Sequence, residues 1–560
     1  MTENEGPEIP GQTGDNHEGN VAPQHGWYVG GAAADDGGQS YGTYPAHSQP
    51  SPSQPAYGQP GYGTGDVIIA GPPRRDRRLA PVITSVVVVL AIILAGGGFT
   101  AYKLLASKGG QPDKWAPANS MAYVKIDLDP SASAKVAAWE FERKFPDAPK
   151  IASADQLKDG LLQSIFAADT RDQINYDTDV KPWVGDRLGI AVYPDALGKP
   201  AVVGILEVKD AAKARAGIEK LNTESGSHAV GYSIQGGYAI VGQDQASVDA
   251  AVAAARQSNI TSNHNFSNDL AQLKDDRVVT AWWDAGATLK AMSASLPADA
   301  RGLLSSGSLT GLPNMNDIGR VVMGVRVQPS YVELEGRILD SKTTDASKAF
   351  ASGNARATLG DLPGGSVMGV ALANPEQLIK TELATLSSGL LGAGLQSELD
   401  QASAQLGIKL PDDAENLLGS GIAAGIDRIP ADDPDLKNPF FTVLTHQDDV
   451  TSGLHTAQLL TSLLGIDGNL TLNAKAQGSN VVITNDDQPG SGKLADDASF
   501  KNALSGMPDK SVVAGYLNIG ALATAAGPDA PDAAKHLGGL GFYIGTDSTS
   551  PVFGAKLTIK

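Results

Sequence analysis

The chain runs to 560 residues with 62 acidic and 43 basic side chains, a formal net charge of −19, and no cysteine. That balance argues against nucleic acid as a partner, because phosphate backbones call for a basic face. Missing thiols exclude disulfides, lipid anchors on cysteine and thiol nucleophiles, so any folded region must hold together through its apolar core.

Residues 1–73 are rich in Gly, Pro, Gln and Ser, with aromatics spaced widely at Trp27, Tyr28, Tyr41, Tyr44, Tyr57 and Tyr62. No window carries apolar residues at period 3.6 or 2, so the segment is expected to be a disordered tail. Either it solvates the chain or its Tyr, Pro and Gln residues meet a cytoplasmic protein partner. Next come Arg74, Arg75, Arg77 and Arg78, followed by 24 residues without a charge, Leu79 to Tyr102. As a helix that run would measure about 36 Å, enough to cross a bilayer. The expectation is one transmembrane helix over 79–102 that contacts the lipid bilayer, with the arginines holding the N-terminus in the cytoplasm and the C-terminus extracytoplasmic. This places the protein in the cell membrane as a single-pass chain. A cleaved signal peptide is the alternative, weakened by the seventy-odd residues ahead of the apolar run.

After Lys103 the chain carries 53 acidic and 38 basic side chains. Its most informative feature is an internal repeat: Phe266 to Gly286 aligns without a gap on Phe500 to Gly520, at a constant offset of 234. Phe, Asn, a Val-Val pair, an aromatic and Gly recur, and each copy reads as a short helix, a turn and a strand. Met121 to Leu128 matches Val367 to Asn374 in pattern, Ala201 to Val208 matches Phe441 to Thr445, and the paired strands of Val321 to Leu339 match those of Leu540 to Ile559. The predicted fold class is α+β, with duplicated antiparallel-sheet units at 115–342 and 360–560 and helices flanking each sheet.

Within the first unit, Leu188 to Tyr193 and Ala201 to Val208 are predicted strands around a turn, followed by an amphipathic helix from Ala211 to Leu221. A hairpin closes across Gly236-Gly237, and Ala246 to Arg256 is a predicted Ala-rich helix. In the second unit Phe440 to Leu444 precedes a helix over Val450 to Leu464, and Leu470 to Ala474 pairs with Asn480 to Ile483 across Gln477-Gly478.

The stretch Ala122-Tyr-Val-Lys-Ile-Asp-Leu-Asp-Pro-Ser-Ala-Ser-Ala-Lys135, leading to Phe141, Lys144, Phe145 and Pro146, resembles actinobacterial membrane proteins that carry the domain of unknown function 3352. The resemblance would cover roughly residues 110 to 560. It implies location and architecture, and it transfers no activity to any residue.

Chemistry-bearing motifs are sparse. Asp127, Asp129 and Pro130 follow a strand and read as a helix entry, with Asp129 or Ser131 as the cap and Pro130 in the first turn. Asp169, Asp172, Asp177 and Asp179 lack the glycine and final glutamate of a calcium loop, as do Asp432, Asp433 and Asp435. His228, His264, His446, His455 and His536 are scattered and form no zinc-binding pair. Gly490-Ser-Gly-Lys493 departs from a phosphate loop at Asp487 and Leu494, and reads as a turn. No catalytic, cofactor-binding or metal residue is assigned. The expected function is a membrane-anchored binding or structural protein of the cell envelope with an unknown envelope partner or ligand. An envelope enzyme whose groups converge only in three dimensions, or a carrier of a hydrophobic ligand, is the alternative.

Overall fold

The computed structural model describes Asp159 and residues 111–129, 175–225, 229–275, 277–294, 319–342 and 353–560, the last with breaks at 378, 381–391, 408, 430–438, 465–471, 528–529, 531 and 548–549. In the first half the strands are β1 (Ala122–Asp127), β2 (Val184–Pro194), β3 (Pro200–Val208), β4 (Gly231–Gln235), β5 (Tyr238–Gly242), β6 (Arg277–Asp284), β7 (Arg320–Gln328) and β8 (Tyr331–Leu339). Its helices are α1 (Tyr176–Asp179), α2 (Ala211–Ser225), α3 (Gln245–Gln257), α4 (His264–Leu270) and α5 (Ala285–Ala294). The second half contributes β9 (Met368–Ala373), β10 (Gly421–Arg428), β11 (Phe440–His446), β12 (Asn473–Gln477), β13 (Asn480–Thr484), β14 (Ser511–Asn518), β15 (Leu537–Thr546) and β16 (Pro551–Ile559). Beside them run α6 (Ala355–Gly360), α7 (Gly392–Leu406), α8 (Asp412–Leu418), α9 (Val450–Leu464), α10 (Ala498–Ala503), α11 (Ile519–Ala525) and α12 (Asp532–Lys535).

The sixteen strands among the described residues belong to one antiparallel sheet, in the order β12-β13-β11-β10-β9-β14-β15-β16-β8-β7-β6-β1-β2-β3-β5-β4. Read outward from the central β16–β8 pair, each half runs through its eighth, seventh, sixth, first, second, third, fifth and fourth strand. The helix-strand-helix segments repeat in detail. Asn263 caps α4 by accepting from the Phe266 amide, and Asp497 caps α10 by accepting from the Phe500 amide. Asp284 and Asn518 likewise accept from Ala287 and Ala521 at the starts of α5 and α11. Phe266 meets Trp282 edge-on at 5.7 Å, and Phe500 meets Tyr516 at 5.3 Å. Gly236 and Gly237 both take positive φ, which the two-residue turn between β4 and β5 requires.

Strand alternation sorts the side chains onto two faces. On one face, Tyr123, Val203, Ile240 and Trp282 pack under α3 and α4, while Ala371, Ala423, Leu444 and Tyr516 pack under α6 and α10. On the opposite face of the first half, Ile126, Leu188, Val279 and Val325 are buried with Tyr176 of α1, Trp183, and Ala214 and Ile218 of α2.

The structure corrects the predicted fold class in two respects. The sheets of the two expected duplicated units are one continuous sheet, because their outermost strands β8 and β16 pair with each other from Tyr331–Thr558 to Arg337–Val552. The expected transmembrane helix is not found: no helix among the described residues is long and apolar enough to cross a membrane. The longest of them, α2, α7 and α9, have 15 residues each, about 22 Å against a hydrocarbon core of about 30 Å. Residues 79–102 and the tail 1–73 lie outside the described residues. The bilayer contact through 79–102, the single-pass cell-membrane localisation and the envelope role resting on them are withdrawn with the helix.

Candidate functional site

The register carries one row of residues across the sheet, and every member is apolar. From the second-half edge it reads Ala474, Ile483, Val443, Ala424, Val370, Gly515, Phe542, Ala555. From the central pair onward it continues through Leu334, Val325, Val279, Ile126, Leu188, Leu206, Ala239 and Ile234. The first-half part is the core face under α1 and α2. In the second half the cover is partial. Gln447 donates its amide to the Leu417 carbonyl of α8 at 2.6 Å and to Thr445 Oγ1 at 2.7 Å. Thr445 shares the outward face of β11 with Val443, so α8 stands on the same side as the apolar row. From there α8 and α9 pack over β11, β12 and β13.

Between these two covers lies a strip on β9, β14, β15 and β16 that the described residues leave partly exposed. Val370 is 48% exposed, Phe542 41% and Ile544 49%. The first-half counterpart of Ile544 shows the contrast. Val279 pairs with Val325, which is 0% exposed; Val513, 234 residues beyond Val279, pairs with Ile544. The difference comes from the covering side chains. Tyr176, Val180 and Trp183 are buried around α1, whereas no residue of α8, the helix ahead of the matching strand β10, is fully buried. On the floor of the strip a methyl group at Gly515 would strike the Phe542 ring, and one at Gly336 on the adjoining β8 would strike the Phe553 ring of β16. Both rings therefore lie flat across glycine.

Polar clusters lie elsewhere and are internally matched. Arg187, 2% exposed, reaches Asp129 at 2.8 Å, Glu207 at 3.1 Å and Asp127 at 3.4 Å. Burial pushes the Asp127 carboxyl up while Arg187 opposes that shift. The guanidinium bridges the three carboxylates and ties the ends of β1, β2 and β3 together. The sequence singled out Asp127 and Asp129 but not Arg187, which stands 58 residues beyond Asp129. The helix entry expected after Asp129 lies outside the described residues.

Asp361 accepts from Lys493 at 2.6 Å and lies 3.0 Å from His446 Nε2, contacts that hold its carboxyl below the usual range. Among the described residues no hydroxyl is hydrogen-bonded to the His446 ring. Lys493 of the Gly-Ser-Gly-Lys turn is thereby an ion-pair partner. Asp179 is bound to Lys220 at 2.6 Å and Asp177 is exposed near Lys181, while Asp169, Asp172, Asp432, Asp433, Asp435 and His228 lie outside the described residues. Among the described residues no group of three or more His, Asp or Glu is placed to hold a metal ion. A recess of about 200 Å³ between Gly520, Thr524, Lys535 and Lys560 falls below the usual size of a small-molecule site.

The model of a family described as protein of unknown function (DUF3352) matches residues 83–426, more than half of the chain. The chain belongs to that family. The match spans all eight first-half strands and runs into β10, so it includes both the covered face and part of the second half. It carries nothing about actinobacterial origin or membranes. No curated protein and no solved structure matches the chain.

Proposed function

We propose that this member of the family is a docking protein that binds a polypeptide partner on the bare strip of β9, β14, β15 and β16. Residues 115–342 and 360–560 act as two units of one scaffold, the first covering its own outer face and the second leaving that face to the partner. The observation that carries the reading is the contrast between buried Val325 and half-exposed Ile544 at matching positions. Exposed apolar surface is costly to leave in water, at about 25 cal/mol per Å², and contiguous exposure of this kind marks interaction sites. The pairing of Arg187 with Asp127, Asp129 and Glu207, and of Asp361 with Lys493 and His446, supports a binding role over catalysis at those clusters. The finer likeness to actinobacterial members stays a proposal resting on Ala122 to Lys135.

The test is a photo-crosslinking amino acid placed at position 542 of the full chain in producing cells. A discrete adduct that disappears when Ile544→Asp is added, with the circular dichroism of the chain unchanged, is the expected result. Crosslinking no stronger than from position 197 on the β2–β3 turn would refute the docking reading.

A further inference from the structure

Resting on that docking reading, we infer that the occupant of the strip is a single amphipathic helix of a partner protein, apolar toward the sheet and basic toward solvent. Four strands at about 4.8 Å spacing give the strip a width of about 14 Å. One helix, about 10 to 12 Å across with its side chains, fills that width, and two do not fit. A second copy of this chain is a poor occupant. Sheets pack face to face at about 10 Å, and each strip is sunk beside helical walls about as thick as that, so the walls would collide first. An acyl chain lying on so open a floor would keep one side in water.

Charge sets the outward face of the helix. The chain carries −19, and the α8–α9 wall presents Asp412, Asp448 and Asp449 to solvent. A cationic helix is drawn in by this field, and an acidic one or a second copy is repelled.

The probe is a labelled 16-residue helical peptide of Leu and Lys, with Leu at every third or fourth position, titrated into the full chain by fluorescence anisotropy. It should bind at least about tenfold more tightly than its scrambled form and than its Leu/Glu counterpart, and added salt should weaken it. Ile544→Asp and Val370→Asp should each reduce the affinity about tenfold, while Leu197→Asp on the distant turn leaves it unchanged. Equal binding of the three peptides, indifference to both strip variants, or tighter binding of a fluorescent medium-chain fatty acid overturns the inference. If no peptide binds but the Ile544-dependent adduct from position 542 persists in cells, docking stands and the helical occupant falls. Loss of both removes both.

Discussion

Asp427 at the end of β10 accepts from Thr442 Oγ1 at 2.6 Å and Ser366 Oγ at 3.2 Å, and burial pushes its pKa up to about 6. A carboxyl whose folded pKa exceeds its unfolded one near 3.8 holds its proton more tightly when folded. Its contribution is therefore fully present below about pH 4 and is lost as the pH rises through about 6. In Asp427→Asn that loss is removed, so the melting temperature of the variant relative to the parent should rise between pH 4 and pH 6.5. Thermal shift across this range measures it, and a pH-independent difference would refute it. The rings on the strip give a second residue-level expectation. Gly515→Ala should displace Phe542 and lower the melting temperature, whereas Gly237→Ala, with open space around it, should cost only the backbone strain of its positive φ. Single residues were the scale least legible in the sequence. Asp127 and Asp129 stood out as a motif, yet nothing in their spacing named Arg187, because a strand pairing brings it near.

At the scale of elements the two helix-strand-helix segments make matched demands. Phe266→Ala and Phe500→Ala should each cost about 3 to 5 kcal/mol, through lost burial and an incompletely collapsed cavity under α4 and α10. Removing the caps with Asn263→Ala or Asp497→Ala should cost about 1 kcal/mol apiece. Urea denaturation of the four variants checks this, and a large cost at only one aromatic would break the equivalence. Helices with apolar periodicity were legible: α9 begins and ends at the predicted Val450 and Leu464, and the Gly236-Gly237 hairpin lies where its glycines put it. β10 was not, since Gly-Ile-Ala-Ala-Gly-Ile-Asp-Arg shows little bulky alternation and becomes a strand by lying between β9 and β11. β12 begins at Asn473, three residues after the predicted Leu470, because its polar sequence takes its register from β13.

Across the whole molecule the decisive contact is the β8–β16 pair. Glu333 opposite Lys556 gathers Arg326 at 2.7 Å and Lys274 at 3.4 Å, and Lys556 donates to the Ser505 carbonyl at 2.6 Å. These charges hold each other around buried Glu333, so Lys556→Met should leave Glu333 with fewer partners and destabilise both halves together. Calorimetry of the parent should show one transition for the described sheet, and two separated transitions would contradict a continuous structure. The sequence showed similar halves but could not show their edges joined, because pairing between distant edge strands leaves no local pattern. Nor could it show which outer face stays bare: the apolar row reads alike in both halves, and only the covering side chains differ. Since the chain has no cysteine, a lone thiol introduced as Ile544→Cys reports on that face directly. Its labelling rate should be fast in the purified chain and strongly reduced in producing cells where the partner is seated, while Val325→Cys stays protected in both. Equal, fast labelling of Ile544→Cys in the two settings would contradict a docked partner.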